Sequence, residues 1–326
     1  MRKPIIGLAL GGGVARGWAH IGALRALEEA GIRPDIVAGT SIGAVVGGCY
    51  VAGKLDPLEA WARRLNRLRM IGYMDFKVRQ PGLIGGNRLA RELRANLGNM
   101  AVDSLDRPFI SVATDLNSGH EVWLRDGRLV EAVRASYALP GVFPPLLING
   151  RTLVDGALVN PVPVSVCLAM GATMVIAVNL NADLVGRGRM PGTRVQRAAG
   201  FDVMDYLKPG NGATEKKPGE NGENGGENGN GNGSGRFGLN AVLGKLFGRS
   251  TDMPSVFGVM TSSLGIILDR LTRSRLAGDP PDIHIAPRLG HVGLMEFDRA
   301  EELIDLGYTA TAQAIPDIID AQRILD

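Results

Sequence analysis

Residues Ile36–Val51 read IVAGTSIGAVVGGCYV, and the fold is decided there. Ile36–Ala38 is an apolar run too short for a helix and reads as a buried strand. Gly39-Thr40-Ser41-Ile42-Gly43 turns the chain, and Ile42–Val51 continues as a helix of small residues. A strand passing straight into a helix is a βα unit, and the pattern recurs on both sides. Upstream, Pro4–Leu10 is a second buried strand and Gly11–Gly13 a turn. Arg16–Ala30 follows as a helix with Ile21, Leu24, Leu27 and Ala30 on one face, stopped by Gly31. Downstream, Pro57 opens a helix with Leu58, Trp61, Leu65 and Leu68 on one face. Pro108–Thr114, Glu121–Leu124 and Met174–Asn179 read as strands, with Leu129–Leu139 a helix between the last two. Alternating strands and helices imply an α/β fold, a three-layer α/β/α arrangement around a mostly parallel sheet.

Between Pro209 and Gly235 the chain is rich in Gly and Asn, with Glu and Lys and no large apolar residue. Such a segment buries too little surface to offset its ordering entropy, so it is expected to be a disordered linker. Beyond it, Met253–Leu276 is apolar with helical period, Asp282–Ala286 reads as a strand and Glu296–Leu306 as a closing helix. The part after the linker begins with an amphipathic stretch rather than a complete α/β unit. The expected organisation is therefore a catalytic α/β domain over 1–208, an inserted linker over 209–235, and an extension over 236–326 completing the same domain.

The 326 residues include 46 glycines, about twice ordinary usage, with no G-X-Y period. Ten of them lie in the linker; the others need a different cause. Two cysteines, Cys49 and Cys167, make no disulfide framework, which suits a reducing cytoplasmic setting. The net charge of +3 is too small for a general nucleic-acid binder. From Ala60 to Arg94, however, nine basic residues face two acidic ones. Arg2-Lys3 before Ile5–Leu10 imitates a signal peptide, but no A-x-A site follows and Arg16 comes soon after. The uncharged runs Ile36–Gly53 and Gly156–Ala182 are broken by Gly, Pro, Asn, Ser and Thr, so neither reads as a membrane span.

Three short motifs carry chemistry. Gly39-Thr40-Ser41-Ile42-Gly43 joins a strand to a helix, and a serine nucleophile on such an elbow needs small neighbours because the turn is tight. The helix N-terminus beneath Ser41 favours developing negative charge. Taken alone the motif equally describes a serine capping an ordinary βα turn. Gly11-Gly12-Gly13, with Arg16-Gly17, lets backbone amides converge on a phosphate or an oxyanion. Neither the dinucleotide fingerprint nor the P-loop is met, since Arg16 stands where the former needs glycine and no Gly-Lys-[Ser/Thr] follows. Asp155-Gly156-Ala157 sets a carboxylate at a strand end, where it can act as general base, although Asp-Gly is also a common turn pair.

In this order, Gly-Gly-Gly-x-x-Arg-Gly, Gly-Thr-Ser-Ile-Gly and Asp-Gly-Ala resemble the patatin-like phospholipases, including the bacterial branch related to neuropathy target esterase. The resemblance extends through residues 113–116, 135–143 and 160–163, and to residues 281–287. It implies a patatin-like fold and a lipid acyl hydrolase working by a Ser–Asp dyad without histidine. Ser41 would be the nucleophile, Asp155 the base, and the Gly11, Gly12 and Gly13 amides the oxyanion hole, with Arg16, Gly39, Gly43 and Gly156 in support. It implies a phospholipid, lysophospholipid or acyl ester substrate, no cofactor and no nucleic acid. The glycine loop is one residue longer than the plant form's G-x-G-x-x-G. Arg16 keeps two readings, orienting that loop or meeting a phosphate. The competing class is a non-catalytic or regulatory lipid-binding protein on the same fold.

A Ser…Asp…His order would need His284 or His291; the former reads as a strand residue, the latter as a loop residue, while His20 falls on the first helix and His120 near a turn. Four scattered histidines and two distant cysteines indicate no metal site. The helix around Trp61, flanked by Arg63, Arg64 and Arg67 and followed by Tyr73 and Phe76, has two readings. It either rests on anionic lipid, which would place the protein peripherally at the inner face of the membrane, or packs its apolar face on the core. Val256, Ile266, Ile267 and Leu271 pose the same choice between a cover for the acyl pocket and plain core.

Overall fold

A computed structural model of the chain describes residues 3–65, 87–183 and 256–325. Its strands are β1 (Ile6–Leu10), β2 (Ile36–Thr40), β3 (Phe109–Asp115), β4 (Glu121–Leu124), β5 (Leu146–Ile148), β6 (Arg151–Asp155), β7 (Met174–Val178) and β8 (Ile283–Ile285). They form one sheet in the order β5-β6-β3-β2-β1-β7-β8, with β4 also on β3. From β3 through β2, β1 and β7 to β8 every pairing is parallel, whereas β4, β5 and β6 pair antiparallel. The sheet is mixed: a parallel centre as the alternation implies, and an antiparallel end built from hairpins.

The helices are α1 (Ala19–Glu29), α2 (Ile42–Val51), α3 (Leu55–Arg63), α4 (Asn87–Leu97), α5 (Leu129–Ser136), α6 (Val164–Ala169), α7 (Val256–Gly278) and α8 (Ala300–Leu325). They lie on both faces because the central strands are apolar on both. Ile6, Leu8, Leu10, Val37, Phe109, Met174, Ile176 and Val178 pack with residues of α1, α2 and α8. The alternate residues Ala9, Ile36, Ala38, Ile110, Val112, Val175 and Ala177 pack with Val164, Val166 and Cys167 of α6, and Leu276 of α7 joins them. The two-residue period of a strand thus divides one sheet between two cores.

Several boundaries differ from the sequence reading. The helix expected from Arg16 starts as a 3-10 turn, Val14–Trp18, and becomes α1 at Ala19. The Ala15 N–H there bonds outward to Leu294 O rather than into a helix. The closing helix runs far past Leu306, to Leu325, and tolerates Pro316 at an exposed position. Helix α4 escaped the pattern because its buried residues, Ala90, Leu93 and Leu97, are outnumbered by charges. The linker over 209–235, the domain boundaries beside it, and Arg67, Leu68, Tyr73 and Phe76 lie outside the described residues. The elements up to residue 183 and from Ser262 onward belong to one compact unit; residues 256–261 belong to a second.

Helix α2 sits so close over the end of β1 that a Cβ on Gly43 would run into the Leu10 carbonyl oxygen. Backbone cannot move aside as a side chain can. Gly43→Ala is therefore expected to lower unfolding stability by about 1–3 kcal/mol, read by urea denaturation, with a smaller loss for Gly48→Ala, which would meet only side chains.

Candidate active site

Strand β3 carries β4 along Ser111–Thr114 on one edge. Its other edge is shared end to end: β2 runs beside Phe109–Val112 and β6 beside Ala113–Asp115 in the opposite sense. Thr40 pairs with Val112 and Asp155 with Ala113, so the C-terminal ends of β2 and β6 meet head-on. Two residues 114 apart in sequence, Ser41 and Asp155, are brought together by this register, and Ser41 Oγ donates to Asp155 Oδ2 at 2.7 Å.

Ser41 has φ 57° and ψ −123°, a conformation that L-residues rarely adopt and that costs about 1–3 kcal/mol. The surroundings hold it there. Its N–H donates to Ser136 Oγ at 2.8 Å, Ser136 Oγ donates to Val112 O at 2.5 Å, and its carbonyl accepts from Ala44 and Val45 at the start of α2. Ser41 Oγ makes no capping bond to α2, so the hydroxyl stays free to face Asp155. Gly39 lies against the Ala44 backbone beneath the turn.

Asp155 is fixed on every side. Its N–H donates to Ala138 O at 3.0 Å, its carbonyl accepts from Thr114 Oγ1 at 2.8 Å, and Oδ1 accepts from Ala157 N–H at 2.8 Å. Gly156 permits the close turn, since a Cβ there would strike Val112 O. Asp155 is 1% and Ser41 6% exposed. Burial pushes the Asp155 carboxyl up to about 7, although the bonds from Ser41 and Ala157 pull the other way. A carboxyl whose titration lies near neutral pH has the proton affinity that general-base chemistry needs.

The glycine loop runs beside this pair, with Gly12 close enough that a Cβ on it would lie 3.4 Å from Ser41 Cβ. Its three amides differ. Gly11 N–H donates to Val178 O at 3.0 Å and Gly12 N–H to Pro161 O at 2.9 Å, while Gly13 N–H has no hydrogen-bond partner among the described residues. Arg16 is buried; its Nε and Nη2 both donate to Val292 O, at 2.9 and 2.6 Å, and its own N–H donates to Gly13 O at 3.2 Å. The backbone bond ties Arg16 to the glycine loop and the guanidinium bonds tie it to Val292, while Arg16 Nη1 is buried with no hydrogen-bond partner among the described residues. A surface cleft of about 530 Å³ lined by Glu28, Arg33, Tyr50 and Arg107 lies at the far end of α2 from Ser41 and takes no part in this geometry.

The family model for patatin-like phospholipase matches residues 8–168, which contain all three motifs. An NTE family protein of Mycobacterium tuberculosis is 32% identical over 334 residues, 96% of this chain and 92% of the relative. The chain belongs to the patatin-like phospholipase family. It is also similar to human Patatin-like phospholipase domain-containing protein 6, 34% identical over 185 residues, covering 55% of this chain and 13% of that protein. Neuropathy target esterase sws of Drosophila melanogaster is 32% identical over the same length, with shares of 55% and 13%.

None of the four histidines bonds to Ser41 or Asp155 in this patatin-like fold. His284 Nε2 lies 3.3 Å from Asn179 Nδ2, His291 Nε2 lies 2.7 Å from Glu302 Oε1, and His120 sits in an exposed turn. His20 is fully buried and its Nε2 is 2.7 Å from Gly11 O; a carbonyl only accepts, so Nε2 carries the proton. Burial lowers its pKa to about 4 against the pull of that carbonyl. The unfolded chain therefore binds the proton first on acidification, and stability contributed by neutral His20 is lost as pH falls from about 6.5 towards 4. His20→Gln, which keeps a donor without the titration, is expected to flatten that decline, on the order of 3 kcal/mol by denaturation at stepped pH.

Sequence reasoning missed the residues that hold the site. Ser136 and Ala138 lie in the 135–143 stretch and Asn160 in the 160–163 stretch, which entered only as a likeness. Asn160 anchors Thr40 Oγ1 through its carbonyl at 2.8 Å, and Asn181 Nδ2 donates to Gly12 O at 3.0 Å. Ser136, Asn160 and Asn181 are small polar residues buried against a motif and Ala138 acts through its backbone carbonyl, so only knowledge of the register marks them out.

Among the described residues no helix is long and apolar enough to cross a membrane. On α3, Trp61 packs edge-to-face on Trp18 at 5.7 Å and Arg63 pairs with Glu59 at 3.0 Å, so that helix spends its aromatic residue on the core. On α7, Leu264 and Leu276 pack onto apolar clusters while Ile266 and Ile267 are exposed.

Proposed function

We propose that the chain is a serine acyl hydrolase that cleaves the ester bond of a phospholipid, lysophospholipid or related acyl ester with a Ser41–Asp155 dyad. The observation that carries this reading is the buried 2.7 Å bond from Ser41 Oγ to Asp155 Oδ2 on a strained strand-to-helix elbow. Ser41 Oγ attacks the ester carbonyl as its proton passes to Asp155, and amides of the glycine loop and the start of α2 stabilise the oxyanion. Collapse expels the alcohol, which takes the proton from Asp155. Water then attacks the acyl-enzyme, giving one proton to Asp155, and collapse releases the carboxylic acid as Ser41 Oγ takes that proton back from Asp155.

An apolar acyl group suits the surroundings. Leu139 and Val142, with Val14, Phe143, Leu264 and Met295 packed on them, form an apolar cluster. Val14 follows Gly13, and Leu139 follows the residue whose carbonyl holds Asp155, so the cluster is joined in the chain to both the glycine loop and the Asp155 anchor. On α3 the Trp61 ring packs on Trp18. The test is a panel of phospholipids, lysophospholipids and p-nitrophenyl esters with mass-spectrometric detection of products. Release of fatty acid from at least one class is expected; lipid binding with no hydrolysis of any member would show a lipid-binding protein instead.

A further inference from the structure

We propose that Asn181 is a positioning residue that aims the Gly13 N–H at the oxyanion, which makes Gly13 the member of the glycine loop that stabilises the transition state. The inference rests on the acyl-hydrolase reading and adds a residue beyond 8–168, the span matched by the family model.

A trans peptide unit is planar, with its C=O and N–H pointing in opposite directions. Fixing a carbonyl therefore fixes the next residue's amide proton. In the glycine loop each carbonyl is held by a different donor: Gly11 O by His20 Nε2 at 2.7 Å, Gly12 O by Asn181 Nδ2 at 3.0 Å, and Gly13 O by the Arg16 N–H at 3.2 Å. The bond to Gly11 O turns the Gly12 N–H onto Pro161 O, where it is used up. The bond to Gly12 O turns the Gly13 N–H away from Asn181, and that proton alone of the three glycine amides meets no partner among the described residues. An amide held in place, on the residue after the glycine that lies against Ser41 and without a partner of its own, is a donor waiting for an acceptor.

Asn181 is itself anchored. It is buried, and its N–H donates to Asn179 Oδ1 at 3.0 Å; Asn179 in turn lies 3.3 Å from His284 Nε2 on β8, and its N–H donates to Ile285 O at 2.9 Å. Without the Asn181 donor the Gly12 carbonyl loses the bond that opposes a peptide flip, and glycine on both sides leaves little steric resistance to one. A flipped unit presents a carbonyl oxygen where the oxyanion forms.

The experiment compares wild type with Asn181→Asp, which is the same size but lacks the donor, Asn181→Leu, and Asn181→Gln, which retains one. Turnover of p-nitrophenyl butyrate, its pH profile, and inhibition by an alkyl trifluoromethyl ketone, which forms a tetrahedral oxyanion, are measured together with Tm. For Asp and Leu, kcat is expected to fall about 10²-fold with KM within twofold and the pH midpoint of wild type kept. Ketone affinity should fall by a similar factor, and Asn181→Gln should recover part of both. If Asn181→Leu does not fold, the Asp and Gln variants carry the comparison. Folded Asp or Leu variants with kcat within threefold of wild type, or losses carried by KM, would overturn the assignment of Asn181 alone. A wild-type protein that hydrolyses no ester would overturn the acyl-hydrolase reading as well.

Discussion

Ester turnover by Ser41→Ala is expected to fall by about 10⁴-fold or more, while the fold is kept. Among the described residues Ser41 Oγ has one partner, Asp155 Oδ2, so its removal takes away the proposed nucleophile and one hydrogen bond. The backbone bonds that hold the elbow, from the Ser41 N–H to Ser136 and from Ala44 and Val45 to the Ser41 carbonyl, do not involve the hydroxyl. The Ser41 bond is also the larger of the two interactions that lower the Asp155 carboxyl. With it gone the carboxyl should titrate still higher, a shift visible by infrared difference spectroscopy of the carboxyl stretch. Urea denaturation should show little change in stability at neutral pH. Retention of ester turnover within tenfold would exclude Ser41 as the nucleophile.

The second large effect is that of Asp155→Asn. A base must be ionised before it can take a proton, so kcat/KM in wild type should rise with pH through a midpoint near 7, set by the burial of Asp155. In Asp155→Asn this limb should disappear, and activity should drop by about 10²–10⁴-fold at pH 8. The linkage to stability has the opposite sign. Because the folded-state pKa is raised from 3.8 to about 7, the native state binds the proton more tightly than the unfolded chain. Stability therefore falls as pH rises through that window, and the ionised carboxylate weighs against the fold above it. Asn keeps an acceptor for Ala157 N–H and carries no charge, so thermal denaturation at pH 8 is expected to give a Tm equal to or above that of wild type. A variant that is inactive because it is less stable would contradict this.

Much of this was legible before the structure. Ile36–Ala38 followed by Gly-Thr-Ser-Ile-Gly announced a strand, an elbow and a helix, and the apolar runs at 4–10 and 174–179 announced neighbouring strands buried on both faces. The parallel centre followed from their alternation with helices. The antiparallel end did not, because β5 is three residues long and β6 depends on its pairing with β3 for its place. That pairing is what brings Asp155 to Ser41, so the dyad could be named by its motifs but its contact could not be derived from spacing. The same limit hid Asn181: Asn-Leu-Asn after a strand looks like any loop, and the Gly12 carbonyl it holds lies 169 residues away. The Arg-rich stretch left two readings open, and the described part of it, through Leu65, answers only for α3. Its charge is evident in the sequence, but Trp18 and Glu59, which engage Trp61 and Arg63, come from a distant segment and a neighbouring turn.

The central claim, a serine nucleophile served by a buried aspartate without histidine, is tested most directly by covalent labelling with a fluorophosphonate, read by intact mass and peptide mapping. One adduct is expected, on Ser41, forming at a rate that rises with pH through a midpoint near 7. The rate should be lost in Asp155→Asn and retained in His284→Asn and His291→Asn. No adduct, an adduct on another residue, or Ser41 labelling that is unchanged in Asp155→Asn would contradict it.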